Sequence, residues 1–102
     1  MESKAGFSKE TKKKKEFELR LYVTGTSINS LRSIINIKEI CETYLPGRYQ
    51  LDIIDVYQQD DIAKQEQIIA LPLLIRKFPL PERRMIGDLS ETIKVLKGLG
   101  LQ

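Results

Sequence analysis

Between Phe17 and Val56 the apolar pattern changes period twice, and this strand–helix–strand succession constrains the fold more than any other feature. Phe17-Glu18-Leu19-Arg20-Leu21-Tyr22-Val23 alternates with period two, as a half-buried strand does. Thr24-Gly25-Thr26-Ser27 interrupts it, and Asn29 or Ser30 is placed to cap a helix beginning there. From Ser30 to about Tyr44, Leu31, Ile34 and Ile35, then Cys41 and Leu45, stand three, four or seven residues apart. Ile37, Ile40 and Tyr44 widen that stripe, which predicts a helix with a broad apolar face ended by Pro46-Gly47. Tyr49 to Val56 begins alternating and finishes almost wholly apolar, the pattern of a strand entering a core. Two strands joined by one helix form a βαβ unit, with parallel strands and a right-handed crossover.

The second half carries more breaks. Gln58-Gln59-Asp60-Asp61 supplies a turn and a helix start, and Ile62, Ala63, Gln65, Glu66, Ile68 and Ile69 predict a short helix. Pro72 forbids its continuation and pushes Leu71 toward extended backbone. Leu73-Leu74-Ile75-Arg76-Lys77-Phe78 has strand length, Pro79-Leu80-Pro81-Glu82 turns the chain, and Arg83-Arg84-Met85-Ile86 suits the second strand of a hairpin. After Gly87-Asp88, Ser90 is placed to cap a last helix bearing Ile93, Leu96 and Leu99 at helical spacing. Gly98 and Gly100, read as helix interior, weaken it by about 1 kcal/mol each relative to Ala. The resulting order, βαβαββα with a mixed sheet and a proline opening the late hairpin, is that of a thioredoxin-like domain.

Charge and composition set the boundary and narrow the chemistry. The first sixteen residues hold six Lys against three Glu, while the rest carries eleven basic and eleven acidic residues. Residues 1–16 therefore read as a Lys-rich flexible leader and 17–102 as one domain. A neutral domain lacks the basic face that nucleic-acid binding needs. No apolar run reaches the ~18 residues of a membrane helix and no secretory signal opens the chain, so a cytoplasmic protein is expected. With no His and a single Cys, triads, dithiols and His- or Cys-cluster metal sites are excluded.

The remaining candidates are weak as chemistry. In a thioredoxin-like fold the redox dithiol sits where the first strand meets the first helix, and here that place reads Gly25-Thr26-Ser27-Ile28-Asn29-Ser30, without a thiol. Cys41 falls on the apolar stripe as a structural thiol. Asp52 with Asp55, or Asp60 with Asp61, has the spacing of an acid–base or Mg²⁺ pair, but acids at a helix start serve its dipole more simply. Gly25-Thr26 without a GxxxxGK pattern reads as a turn, so no cofactor is expected. Arg83-Arg84, opposite Arg76 and Lys77 on the proposed hairpin, forms a small basic cluster, either a solvated sheet edge or a contact for an acidic partner. The chain reads as a non-enzyme.

Several segments together resemble the circadian-clock KaiB family. They are Leu19 to Gly25, Asn29-Ser30 with Arg32, Tyr49, Ile54-Asp55-Val56, Ile68 to Pro72, and Pro79-Leu80-Pro81-Glu82-Arg83-Arg84-Met85-Ile86-Gly87-Asp88-Leu89-Ser90. The resemblance implies a non-catalytic regulator that binds a KaiC-like hexameric ATPase, with a KaiA-like protein or a sensor histidine kinase as further partners. It also implies two folds of one chain: the thioredoxin-like monomer and a homo-oligomeric, tetramer-forming ground state of order βαββααβ. Partner-facing positions carried over are Arg32, Tyr49, Gln50, Asp52, Arg83 and Arg84. The fold-switch positions are Pro72, Pro79, Pro81, Gly98 and Gly100, with the Leu71–Pro72 bond cis in the thioredoxin-like state. Asp52 stands where the family commonly has Lys, Ile28 where it has Pro, and Gly100 where it has an acid. These departures leave circadian and stress-adaptation roles side by side. The competing class is a thioredoxin-like interaction module without redox activity, such as a sensor-kinase input domain.

Overall fold

The computed structural model describes residues 15–25, 27–56 and 70–101. The expected helix between Gln58 and Ile69, the pair Asp60 and Asp61, and residues 1–14 of the leader lie outside the described residues. Within the described residues six elements succeed one another: β1 (Phe17–Val23), α1 (Ile28–Tyr44), β2 (Tyr49–Asp55), β3 (Leu73–Phe78), β4 (Arg83–Ile86) and α2 (Thr92–Leu99). The strands form one sheet in the order β2-β1-β3-β4. β1 and β2 are parallel from Phe17↔Tyr49 to Val23↔Asp55, while β3 is antiparallel to both β1 and β4. The sheet is mixed and thioredoxin-like. Its second half runs strand–strand–helix, the thioredoxin-like order and not that of the alternative ground state.

The alternation in β1 sends its side chains to two cores. Phe17, Leu19, Leu21 and Val23 join Leu74 under both helices, packing with Ile37, Ile40, Cys41, Leu45, Val95, Leu96 and Leu99. Tyr22 points to the other face, with Leu73, Ile75 and Val56. β1, central in the sheet, is thereby apolar at most positions, while β2 at the edge is only partly buried and leaves Ile53 38% exposed. This corrects the reading of β2 as a strand entering the core: Tyr49 and Leu51 pack toward the helices and Ile54 toward the other face, but none of the strand is fully buried.

The first helix begins earlier than its periodicity indicates. Ser27, not Asn29 or Ser30, is the N-cap, its Oγ accepting from the Ser30 N–H at 3.2 Å. Its buried face also differs: Leu31 and Ile35 are 43% and 65% exposed, and Tyr44 is exposed, while Ser30 and Ser33 are fully buried. Local hydrogen bonds make that burial tolerable. Ser30 Oγ accepts from the Thr24 N–H at 3.1 Å and from Ser27 Oγ at 2.8 Å, and Ser33 Oγ donates to the Ser30 carbonyl at 2.7 Å.

The late hairpin forms as its breaks predict, and the Leu71–Pro72, Phe78–Pro79 and Leu80–Pro81 bonds are all cis. Two expectations for α2 are corrected. Glu91 rather than Ser90 precedes the helix, without a side-chain cap bond, because the Ser90 N–H is turned back onto Asp88 Oδ1 at 3.0 Å. Ile93 is exposed and Val95 takes its place in the core. Gly100 is not in the helix at all. It sits at φ +84°, its N–H bonded to the Lys97 carbonyl at 3.0 Å and that of Leu101 to Leu96 at 2.8 Å, a Schellman motif that satisfies the last carbonyls. Gly98 is interior, and a Cβ there would overlap the Met85 thioether, so glycine is what lets α2 lie close on β4.

Candidate functional site

Strand register decides which of the partner-facing candidates share a surface. Arg20 stands opposite both Asp52 on β2 and Ile75 on β3, and Ile75 opposite Arg84 on β4. Asp52, Arg20, Ile75 and Arg84 therefore form one row across the sheet face turned away from α1 and α2. Asp52 and Arg84 end up on opposite edges, three strand spacings or about 14 Å apart. Gln50 shares the Asp52 end of that face, its Nε2 donating to Asp52 Oδ2 at 3.4 Å.

Tyr49 points the other way, toward α1, where its hydroxyl donates to the Glu42 carboxylate. That hydrogen bond pushes the Tyr49 phenol up to about 12. Arg32 is exposed on α1, close enough to the β4–α2 loop for its charge to act on Asp88. The Asp88 carboxyl is held low by hydrogen bonds from Ser90 and, less, by Arg32, while Asn36 Nδ2 ties the same loop to α1 at the Asp88 carbonyl, 2.8 Å away. The six positions thus do not meet in one patch. Gln50 and Asp52 sit together, Arg84 shares their face at the far edge, and Tyr49, Arg32 and Arg83 lie on the helix side.

The basic cluster divides in the same manner. On the helix-free face Glu82 gathers three cations. Lys77 Nζ lies 2.8 Å from Oε2 and Arg84 Nε 4.0 Å from Oε1, and the bond from Lys77, then the charges of Arg84 and Arg20, hold the Glu82 carboxyl below its ordinary range. The sequence marks Glu82 only as a turn residue. Its place between Pro81 and a strand of alternating faces was the available signal. On the helix side Arg76, expected in the solvated cluster, is buried at 5% exposure. Its Nη2 donates to the Pro81 carbonyl at 2.7 Å, its Nε has no partner among the described residues, and burial and then the Arg83 charge lower its pKa. It is buried because β3 lies inside the sheet, with β4 on one side and β1 on the other.

Two further places were open to chemistry. Cys41 is fully buried, and desolvation, with the Glu42 charge adding to it, pushes its thiol up to about 12, so it is protonated at neutral pH and is a poor nucleophile. Between β4 and α2 runs a cleft of about 390 Å³ whose wall includes Arg84, Ile86, Asp88, Glu91, Lys94 and Val95. Its charged lining is balanced, Arg84 and Lys94 against Asp88 and Glu91. Among the described residues no three His, Cys, Asp or Glu are grouped to hold a metal ion, and no helix is long and apolar enough to cross a membrane.

The sequence matches the KaiB domain over residues 20–101. It is similar to the circadian clock protein KaiB3 of Synechocystis sp., 47% identical over 83 residues that cover 81% of each chain. It is also similar to the circadian clock oscillator protein KaiB of Prochlorococcus marinus subsp. pastoris, 46% identical over 88 residues covering 86% of this chain and 82% of that one. Among solved structures, the oxidized mitochondrial thioredoxin 3 of Saccharomyces cerevisiae superposes with a TM-score of 0.69 at 15% identity, over 84% of this chain and 78% of that one. The N-terminal domain of Synechococcus elongatus SasA superposes with a TM-score of 0.66 at 20% identity, over 100% and 96%. At those identities the two structures establish the fold.

Proposed function

The chain belongs to the KaiB family, and from that premise we propose that it is a non-catalytic, cytoplasmic regulator. It binds a KaiC-like hexameric ATPase and modulates its phosphorylation or ATPase state, in a circadian or stress-adaptation role. The observation that carries this reading is identity of 46–47% to proteins named as circadian clock proteins, over more than four-fifths of both chains. The geometry supports a binding role in a simpler way: Arg32, Asp52, Arg83 and Arg84 are charged and exposed, and they stand on α1 and on the sheet's two edge strands, where a partner surface can reach them. A KaiA-like protein and a sensor histidine kinase are further partners under the same reading.

The reading also carries a second packing of residues after Gln58, a tetramer of order βαββααβ, with Pro72, Pro79, Pro81, Gly98 and Gly100 in the exchanging half. Size-exclusion chromatography of the chain alone reads that equilibrium directly.

The test of function is capture of a purified KaiC-like ATPase. Charge reversal at Arg83 and Arg84 together is expected to weaken capture and leave the circular dichroism spectrum intact. Asp52→Lys, which restores the charge common in the family, is expected to strengthen it. No capture by the unaltered chain would overturn the proposal, and unchanged capture by the double reversal would move the interface elsewhere.

A further inference from the structure

Arg83 and Arg84 are neighbours in sequence but not in environment. Arg84 lies on the helix-free face with Glu82, whose carboxylate also takes Lys77. Arg83 lies on the helix side, directly opposite Arg76. Like charges facing each other across two strands repel. Neither arginine of this pair is matched by a carboxylate among the described residues: Arg76 has only the Pro81 carbonyl, and its Nε is buried without any partner. Gly100 keeps the surroundings of Arg76 open, since a Cβ there would stand 3.1 Å from Nη1. β4 is an edge strand, so Arg83 is approachable from outside the sheet.

We infer that the helix-side edge of β4 receives a carboxylate from an acidic protein segment, and that Arg83, not Arg84, is the residue that binds it. The inference rests on the proposed function and specifies the chemistry of the partner at that edge. Charge complementarity selects this occupant. A carboxylate from Asp or Glu, placed beside Arg83, turns two cations that no described carboxylate matches into a charge-assisted hydrogen-bonded triad. A partner carboxylate at Arg84 would compete with Glu82, which already occupies that side. Among the described residues the pair thus retains a repulsion that a partner carboxylate relieves.

The experiment uses the full chain and two synthetic peptides, one of alternating Glu and Gly and one of alternating Gln and Gly, at low ionic strength. Binding is followed through the Nε–Hε signals of Arg76 and Arg83 in ¹⁵N-correlated NMR spectra. The acidic peptide is expected to move both signals, to bind at least about tenfold more weakly to Arg83→Gln, and to bind Arg84→Gln within about threefold of the unaltered chain. Arg83→Glu, which supplies the carboxylate from within, is expected to abolish peptide binding and raise the melting temperature.

Equal losses for the two glutamines, equal effects of the neutral peptide or of inorganic phosphate, or a lowered melting temperature in Arg83→Glu would each overturn the inference. The two readings fail separately. Peptide binding without capture of a KaiC-like ATPase refutes the proposed function alone, and capture undiminished by Arg83→Gln refutes this inference alone.

Discussion

Replacing Gly100 by Ala tests the end of α2, and the structure reverses the sign that a helix-interior glycine would give. In a helix interior the substitution would stabilise by about 1 kcal/mol. At φ +84° it instead forces an L-residue into the left-handed region, at about 1–2 kcal/mol. Against this stands the smaller freedom of Ala in the unfolded chain, about 0.4–1 kcal/mol in its favour. The new Cβ also meets Arg76 Nη1 at 3.1 Å, and that guanidinium is anchored to Pro81 at 2.7 Å, so it cannot give way freely. The net expectation is a loss of about 1 kcal/mol. For a domain of this size that lowers the melting temperature by about 4–8 °C. Thermal melts followed by circular dichroism read it, with Gly100→Asn as companion. Asn tolerates the left-handed region better than Ala, so it should recover part of the loss if backbone conformation dominates, and none if the contact with Arg76 does. An unchanged or raised melting temperature in Gly100→Ala would refute the reasoning.

Gly98→Ala should stabilise by about 1 kcal/mol only when Met85→Ala has first cleared the overlapping thioether, so a double-mutant cycle should give clear coupling, and additivity would count against the close packing of α2 on β4. Because the folded Cys41 thiol titrates at about 12 against 9.0 unperturbed, the stability it confers is complete below pH 9 and is lost as pH rises toward 12, at up to about 1.4 kcal/mol per pH unit. Denaturant midpoints between pH 8 and 10.5 should therefore fall less steeply in Cys41→Ala, and equal slopes would refute the assignment. Lys15 and Glu16 touch the turn before β2, through Gly47 and Arg48, so a chain beginning at Lys15 is expected to melt with the full chain. A difference above about 1 kcal/mol would show that earlier residues pack on the domain.

Much of the described fold was legible because its signals are local. The period-two run at Phe17 to Val23 matches β1 residue for residue, and the prolines around Leu80 bracket the hairpin as their lack of an N–H requires. The faces were less legible. Leu31 and Ile35 were counted with the core and are exposed, whereas Ser30 and Ser33 are buried. An apolar pattern does not register that a serine can satisfy its hydroxyl within one helical turn. Tertiary neighbours decided the rest. Arg76 reads as a surface cation beside Lys77, but the order of the strands buries it. The separation of Arg83 from Arg84 comes from strand alternation, and it became visible only once Met85 fixed which face meets α2.

At the corner where β1 hands over to α1, Ser27 Oγ and Ser30 Oγ close the first helical turn with a 2.8 Å hydrogen bond. A pair of thiols in such a place would make the corner's rigidity a function of the ambient reduction potential, locked when oxidised and released when reduced. A pair of hydroxyls closes the same turn by a bond that opens and re-forms thermally, whatever the glutathione poise. The corner is insulated from electron traffic, and no change of reduction potential locks or releases it.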